Sequence, residues 1–215
     1  MNRRENILDC YGKTASVYAQ KYFGELEQKH FDRMILTQFA REQRPSEMMI
    51  DLGCGPGQTT AFLESLGVKN ILGTDLSEEM IAEAKRLSPH ISFETADILD
   101  LRYNENQFGS AIAFYAIIHF DYQLLEEAFR SVKGILKPGG QFLLSFHLGN
   151  EVIHMDNFLD SEVNINFRFF EMHQVIKIAK ANGFDVIDAI KREPYPEIEY
   201  QSKRAYLWLR ALTEV

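Results

Sequence analysis

Cysteine is nearly absent: Cys10 and Cys54 are the only two in 215 residues. Two cysteines cannot build a disulfide framework, and these are not at metal-ligand spacing, so a reducing compartment fits the chain best. Long apolar runs are missing as well. No stretch approaches the roughly 20 residues of a membrane span, and the opening MNRRENILDCYGKTASVY lacks the apolar segment of a secretory signal. These absences predict a cytoplasmic protein with no membrane partner. Clustered positive charge is also lacking: the formal net charge is −8 and no run of Lys or Arg exceeds two. A nucleic-acid partner is therefore not expected, since such binding rests on grouped basic side chains. What is present, 46% apolar and 25% charged residues, suits a globular chain long enough to bury a sizeable core.

A single domain over residues 1–215 is expected, in four parts. Residues 1–45 form an N-terminal helical cap of two or three helices that ends near Pro45. Residues 46–147 alternate short apolar strands, at 48–52, 70–74, 91–95, 110–114 and 141–147, with amphipathic helices at 57–66, 77–87 and 122–136. Such alternation predicts a parallel sheet covered by helices on both faces. Ser77 is an N-cap with acids behind it, and LKPGG at 136–140 ends a helix. Residues 148–169 break the pattern: VNINFRF alternates like a strand and can pair with VIHMDNF. Ligands of open α/β sheets bind at the carboxyl ends of the strands, so this insert is placed to act as a lid. Residues 170–215 add a helix closed by Gly183 and two antiparallel edge strands, 184–191 and 204–210, joined through EPYPEIEYQSK. There EYQSKR reads as a solvated turn.

The chemistry concentrates at MMIDLGCGPGQTT, where Gly53, Gly55 and Gly57 follow a strand. Glycine is tolerated there when the backbone turns sharply or another molecule comes close. The second strand ends on Asp75, where a carboxylate can accept from both hydroxyls of a ribose. The third runs into ETADILDL, putting Asp97 on the same rim, in reach of an adenine amino group. A dinucleotide fingerprint would need glycine where Gln58 stands. The G-x-G-x-G spacing behind Asp51 instead suits S-adenosylmethionine: Asp51 for the amino group, loop amides for the carboxylate, Asp75 for the ribose. A tight turn with no ligand is the plain alternative.

DLGCGPGQTT, GTDLS, ADILDL, FGSAIAFYAIIHF and LKPGG, in this order and register, resemble the class I S-adenosylmethionine-dependent methyltransferases, and the late RAYLWLRA resembles that family's last strand. The resemblance covers about residues 46–147. It implies a Rossmann-like three-layer α/β sandwich with a seven-stranded, mostly parallel sheet of order 3-2-1-4-5-7-6, strand 7 antiparallel. It also implies S-adenosylmethionine as cofactor, held by Asp51, Gly53, Cys54, Gly55, Gly57, Thr59, Asp75, Leu76, Met80, Asp97, Ile98, Phe114 and Tyr115. The segment YGKTASVYAQKY resembles the family's entry helix, adding Tyr11 and Tyr18. One departure is Phe108–Gly109, where many relatives carry Phe-Asp.

In-line transfer from a sulfonium asks the protein to align the acceptor, exclude water and, for some acceptors, take a proton. His119 and His147 are the candidate bases, because histidine titrates near neutrality. With His154, Tyr115 and Phe167 they are also the candidate substrate contacts. Phe158, Phe167, Phe169 and Phe170 either wall an apolar pocket or form the core of a hairpin. The three histidines lack a fixed helical spacing, so no metal is expected. The reading that follows is a methyltransferase for a small-molecule acceptor, working as monomer or homodimer. A non-catalytic binder of the same ligand and an aminopropyl-type transferase are the alternatives.

Overall fold

The computed structural model describes residues 2–213. Helix α1 (Arg3–Tyr22) starts from a capping box in which Asn2 and Glu5 satisfy each other's backbone amides. It is followed by a short 3₁₀ turn at Glu25–Glu27 and by α2 (His30–Arg41), which buries Ile35, Leu36 and Phe39. Then come β1 (Met48–Leu52), α3 (Gln58–Ser65), β2 (Ile71–Asp75), α4 (Glu78–Leu87), β3 (Ser92–Thr95), β4 (Phe108–Phe114) and α5 (Tyr122–Ile135). Ser77 caps α4 by accepting from the Met80 amide at 3.3 Å, and Asp121 caps α5 by accepting from Leu124 at 2.9 Å. The remainder is β5 (Leu136–His147), β6 (Val152–Phe158), β7 (Ser161–Arg168), α6 (Met172–Ala181), β8 (Phe184–Arg192) and β9 (Arg204–Ala211).

Seven strands form one sheet of order β3-β2-β1-β4-β5-β9-β8, with β9 antiparallel to both of its neighbours. Strands β6 and β7 make a separate antiparallel hairpin, so the labels of the last two sheet strands move up by two. The central strands are buried along nearly their whole length, as parallel strands covered on both faces must be. One face packs Ile50, Leu52 and Leu144 against Phe129 and Val132 of α5 and Val175 of α6. The other packs Met49, Ile112 and Leu143 against α2, α3 and α4 through Phe39, Leu63 and Ile81. A third cluster joins α1 to the hairpin through Ile7, Cys10, Val163 and Ile165.

One boundary differs from the sequence expectation. LKPGG does not separate helix from strand: α5 runs directly into β5 at Leu136. The pairing jumps from Phe108–Leu136 to Ser110–Gln141, so Pro138, Gly139 and Gly140 bulge out of the ladder. Gly139 takes φ +75° there, a value open to glycine at little cost. No helix among the described residues is long and apolar enough to cross a membrane.

Candidate active site

Strand β1 is followed by three glycines with positive φ, Gly53, Gly55 and Gly57, and the three serve different ends. A Cβ on Gly53 would stand 2.5 Å from the Ala116 Cβ, and one on Gly57 2.9 Å from the Phe93 ring. These two permit close packing. On Gly55 a Cβ would meet nothing nearer than 3.9 Å, because that residue opens onto a cavity. The loop is tied to β2 by Asp75, whose half-buried carboxylate accepts from the Gly55 and Ser77 amides, both at 2.9 Å. Burial raises the Asp75 pKa above the ordinary carboxylate value, and those amides oppose the rise.

The cavity, about 120 Å³, gathers most of the cofactor candidates. Gly53, Cys54 and Gly55 line it from the loop after β1, Asp75, Leu76 and Met80 from β2 and α4, and Asp97 and Ile98 from beyond β3. Phe114 and Tyr115 close it at β4, Tyr11 and Tyr18 at α1. Asp51, Gly57 and Thr59 do not line it. The Asp51 carboxylate lies behind the loop, takes the Thr60 hydroxyl at 2.6 Å, and is pushed up to about 7 by burial. It braces β1 against α3 instead of facing the cavity. Thr59 is buried in the first turn of α3.

The donors and acceptors fit an adenosyl amino acid. Gln58 Oε1 is buried in the cavity wall with no hydrogen-bond partner among the described residues, an acceptor suited to an ammonium. Asp75 and Asp97 offer carboxylates on the strand rim, where hydroxyl and amino donors of a nucleoside can reach them. The Gly55 backbone leaves room for close approach.

A larger cavity of about 400 Å³ adjoins the first and shares Tyr11, Tyr18, Tyr115 and Ile118 with it. Its roof is the hairpin, through Ile153, Met155, Phe158 and Phe167; its far wall carries His147, Glu199 and Arg204. Tyr115 sits at the tip of β4 with φ +55°, an uncommon conformation for a side chain of its size.

The three histidines separate. His119 donates from Nδ1 to the Asn166 carbonyl at 2.9 Å, which leaves Nε2 to accept the Tyr11 hydroxyl at 2.8 Å. Burial lowers its pKa to about 4. It lines the smaller cavity but not the larger, and its basic nitrogen is already occupied. His147 lines the larger cavity, stacked on Phe169 with ring centroids 5.0 Å apart. Its Nδ1 accepts from Arg204 Nη1 at 3.0 Å, and burial first, then the Arg204 charge, lowers its pKa to about 3. His154 is exposed and bonded to Asn166 and Asp156. The hairpin alternates sides, so Ile153 and Met155 face the cavity while His154 faces away, which removes it from the substrate contacts.

The far wall was not foreseen. EYQSKR is a solvated turn only in its middle: Tyr200, Gln201 and Lys203 are exposed, but Arg204 is 2% exposed and the Glu199 side chain 3%. Arg192 bridges Glu199 to Asp32, Tyr206 donates its hydroxyl to Asp32, and Lys29 pairs with Glu25 at 2.6 Å. Burial raises the Glu199 pKa, but hydrogen bonds from Arg192 and the Tyr195 amide more than offset this and leave it below the ordinary value. Only the density of charge between two edge strands hinted at this network.

The profile of a methyltransferase domain family matches residues 49–140. A tRNA (carboxymethyluridine(34)-5-O)-methyltransferase of Saccharomyces cerevisiae is 30% identical over 137 residues, 59% of this chain and 47% of that one. Phosphoethanolamine N-methyltransferase 1 of Arabidopsis thaliana is 28% identical over 163 residues, 72% of this chain and 32% of that one. The chain thus spans less than half the length of these curated relatives. Magnesium protoporphyrin IX methyltransferase of Synechocystis PCC 6803, solved with bound SAH, superposes with a TM-score of 0.75 at 16% identity, covering 98% of this chain and 100% of that one. By its motifs, its profile match over residues 49–140 and its Rossmann-like fold, the chain is similar to the S-adenosylmethionine-dependent methyltransferases.

Proposed function

We propose that the protein methylates a small-molecule acceptor held in the larger cavity, using S-adenosylmethionine held in the smaller one. One observation carries the reading: the two cavities meet at a shared wall of Tyr11, Tyr18 and Tyr115, beside a glycine loop tied to Asp75. When bound, S-adenosylmethionine supplies an electrophilic methyl group on a sulfonium.

The residues of the chain bind, orient and exclude water. Asp75 is oriented by two amides and presents its carboxylate to a ribose. Asp97, on the rim, meets the base, and Gln58 Oε1 meets the amino group. The hairpin of residues 148–169 covers the acceptor, its apolar side chains keeping water from the reacting centre. His119 acts as a positioning residue: it links α1, through Tyr11, to the hairpin, through Asn166. A base role for His119 would need the Tyr11 hydroxyl to leave Nε2. His147 is the titratable imidazole that faces the acceptor, and its neutral form places the proton on Nε2.

Calorimetry with SAH tests the reading. Wild type is expected to bind, and Asp75→Ala to bind at least 100-fold more weakly, as loss of a buried, charge-assisted contact implies. Unchanged affinity in the variant would remove Asp75 from the ribose. No binding to wild type would remove the cofactor site.

A further inference from the structure

The larger cavity is electrostatically unlike the rest of the molecule. The chain carries −8 overall, yet Lys21, Lys29 and Arg204 face this cavity against two acids, Glu25 and Glu199. Glu199 is committed: Arg192 holds both of its oxygens, and Arg204 reaches it at 3.4 Å. Arg192 and Arg204 share the deep carboxylates of Glu199 and Asp32, and Lys29 pairs with Glu25 at 2.6 Å. Lys21, exposed at the rim, has no ion pair among the described residues, so the lining carries one more positive than negative charge.

The Nη1 and Nη2 of Arg204 bond to His147, Ser202 and the Tyr200 carbonyl. Its Nε–H is buried and has no acceptor among the described residues. A buried guanidinium donor without a partner is costly to leave unmade. Arg204 and Lys29 each stand 5.5 Å from the Tyr115 ring, so both cations lie beside the wall shared with the cofactor cavity. The opposite walls are apolar, built from Met155, Phe158 and Phe167. The depressed pKa of His147 agrees, since the Arg204 and Lys29 charges add to the effect of burial.

We infer that the acceptor carries a single carboxylate on an apolar or aromatic body, and that Arg204 Nε, supported by Lys29, holds that carboxylate. A dianionic phosphate fits less well, because Glu25 and Glu199 line the same space. The inference rests on the methyltransferase reading for its word "acceptor"; the anion site itself stands on the cavity alone.

Ligand-observed NMR on the SAH-saturated protein tests it, with benzoate against benzamide, phenylacetate against phenylacetamide, and inorganic phosphate as competitor. The carboxylates are expected to bind at least tenfold tighter than their amides and to be displaced poorly by phosphate. Arg204→Gln is expected to bring the carboxylate-to-amide ratio below twofold without changing SAH affinity. Lys29→Gln, which leaves Arg204 in place, is expected to lower the ratio at least threefold and covers the case in which Arg204→Gln does not fold. Equal binding of acid and amide to wild type, a ratio unchanged in folded Arg204→Gln or in Lys29→Gln, or phosphate outcompeting benzoate would overturn the assignment. SAH titrated alone separates the two proposals. SAH binding without carboxylate preference sinks this one only, and carboxylate preference without SAH binding sinks the methyltransferase reading.

Discussion

The wall that holds Asp75 is made of neighbouring strand tips and backbone amides; the wall that holds Arg204 is made of side chains drawn from distant segments. At the first, the Gly55 and Ser77 amides aim one carboxylate, and the pieces lie within one β–α–β unit. At the second, Asp32 on α2, Arg192 on β8, Glu199 in the following loop and Arg204 on β9 neutralise one another across the fold. A site of backbone amides depends on local conformation and tolerates side-chain change around it. A site of mutually paired charges depends on every member, because removing one strands the others in a low-dielectric place.

That contrast is sharpest in Glu199→Gln. The substitution leaves Arg192, Arg204 and Lys29 short of a counter-charge, and a cost of about 3–5 kcal/mol is expected in chemical denaturation, with SAH affinity unchanged within twofold. A loss below about 1 kcal/mol would show that the network behaves like a surface pair. Asp75→Ala is expected to do the reverse, losing SAH binding with less effect on the fold.

Acid divides the two walls more gently. The buried His147 stays neutral down to about pH 3, whereas in the unfolded chain it charges near 6.5. Its folded pKa is depressed, so its contribution to stability is complete above about pH 6.5 and is lost as the pH falls toward the folded value. Wild type is therefore expected to lose about 1.4 kcal/mol more per pH unit than His147→Gln between pH 6.5 and 4. Asp51, raised to about 7, acts in the opposite sense in both proteins and cancels from the difference. Parallel pH profiles would contradict the burial of His147. The smallest effect belongs to His154→Ala, expected to stay within about 0.5 kcal/mol of wild type with no change in carboxylate preference.

The two walls also differ in how far they could be read from residues alone. Glycines at a strand end, an acid closing the next strand and an acid after the third sit at fixed distances along the chain, so the cradle and the strand alternation were legible. Gly57 and Asp51 show the limit even there: spacing marks the loop but does not say which residue faces the cavity and which packs behind it. The ends of EYQSKR, Glu199 and Arg204, were missed for a different reason. Charged residues between two strands read as solvated, and only the antiparallel return of β9 beside β5 and β8 folds Glu199 and Arg204 inward. His154 was misplaced by parity, since a hairpin's register decides which alternate residues face the sheet.

A crystal structure of the protein grown with SAH tests the central claim most directly. The account predicts the ribose on Asp75, the amino acid end beside Gly55 and Gln58, and the sulfur pointing at the wall of Tyr11, Tyr18 and Tyr115. An adenosine bound elsewhere, or a sulfur turned away from that wall, would contradict it.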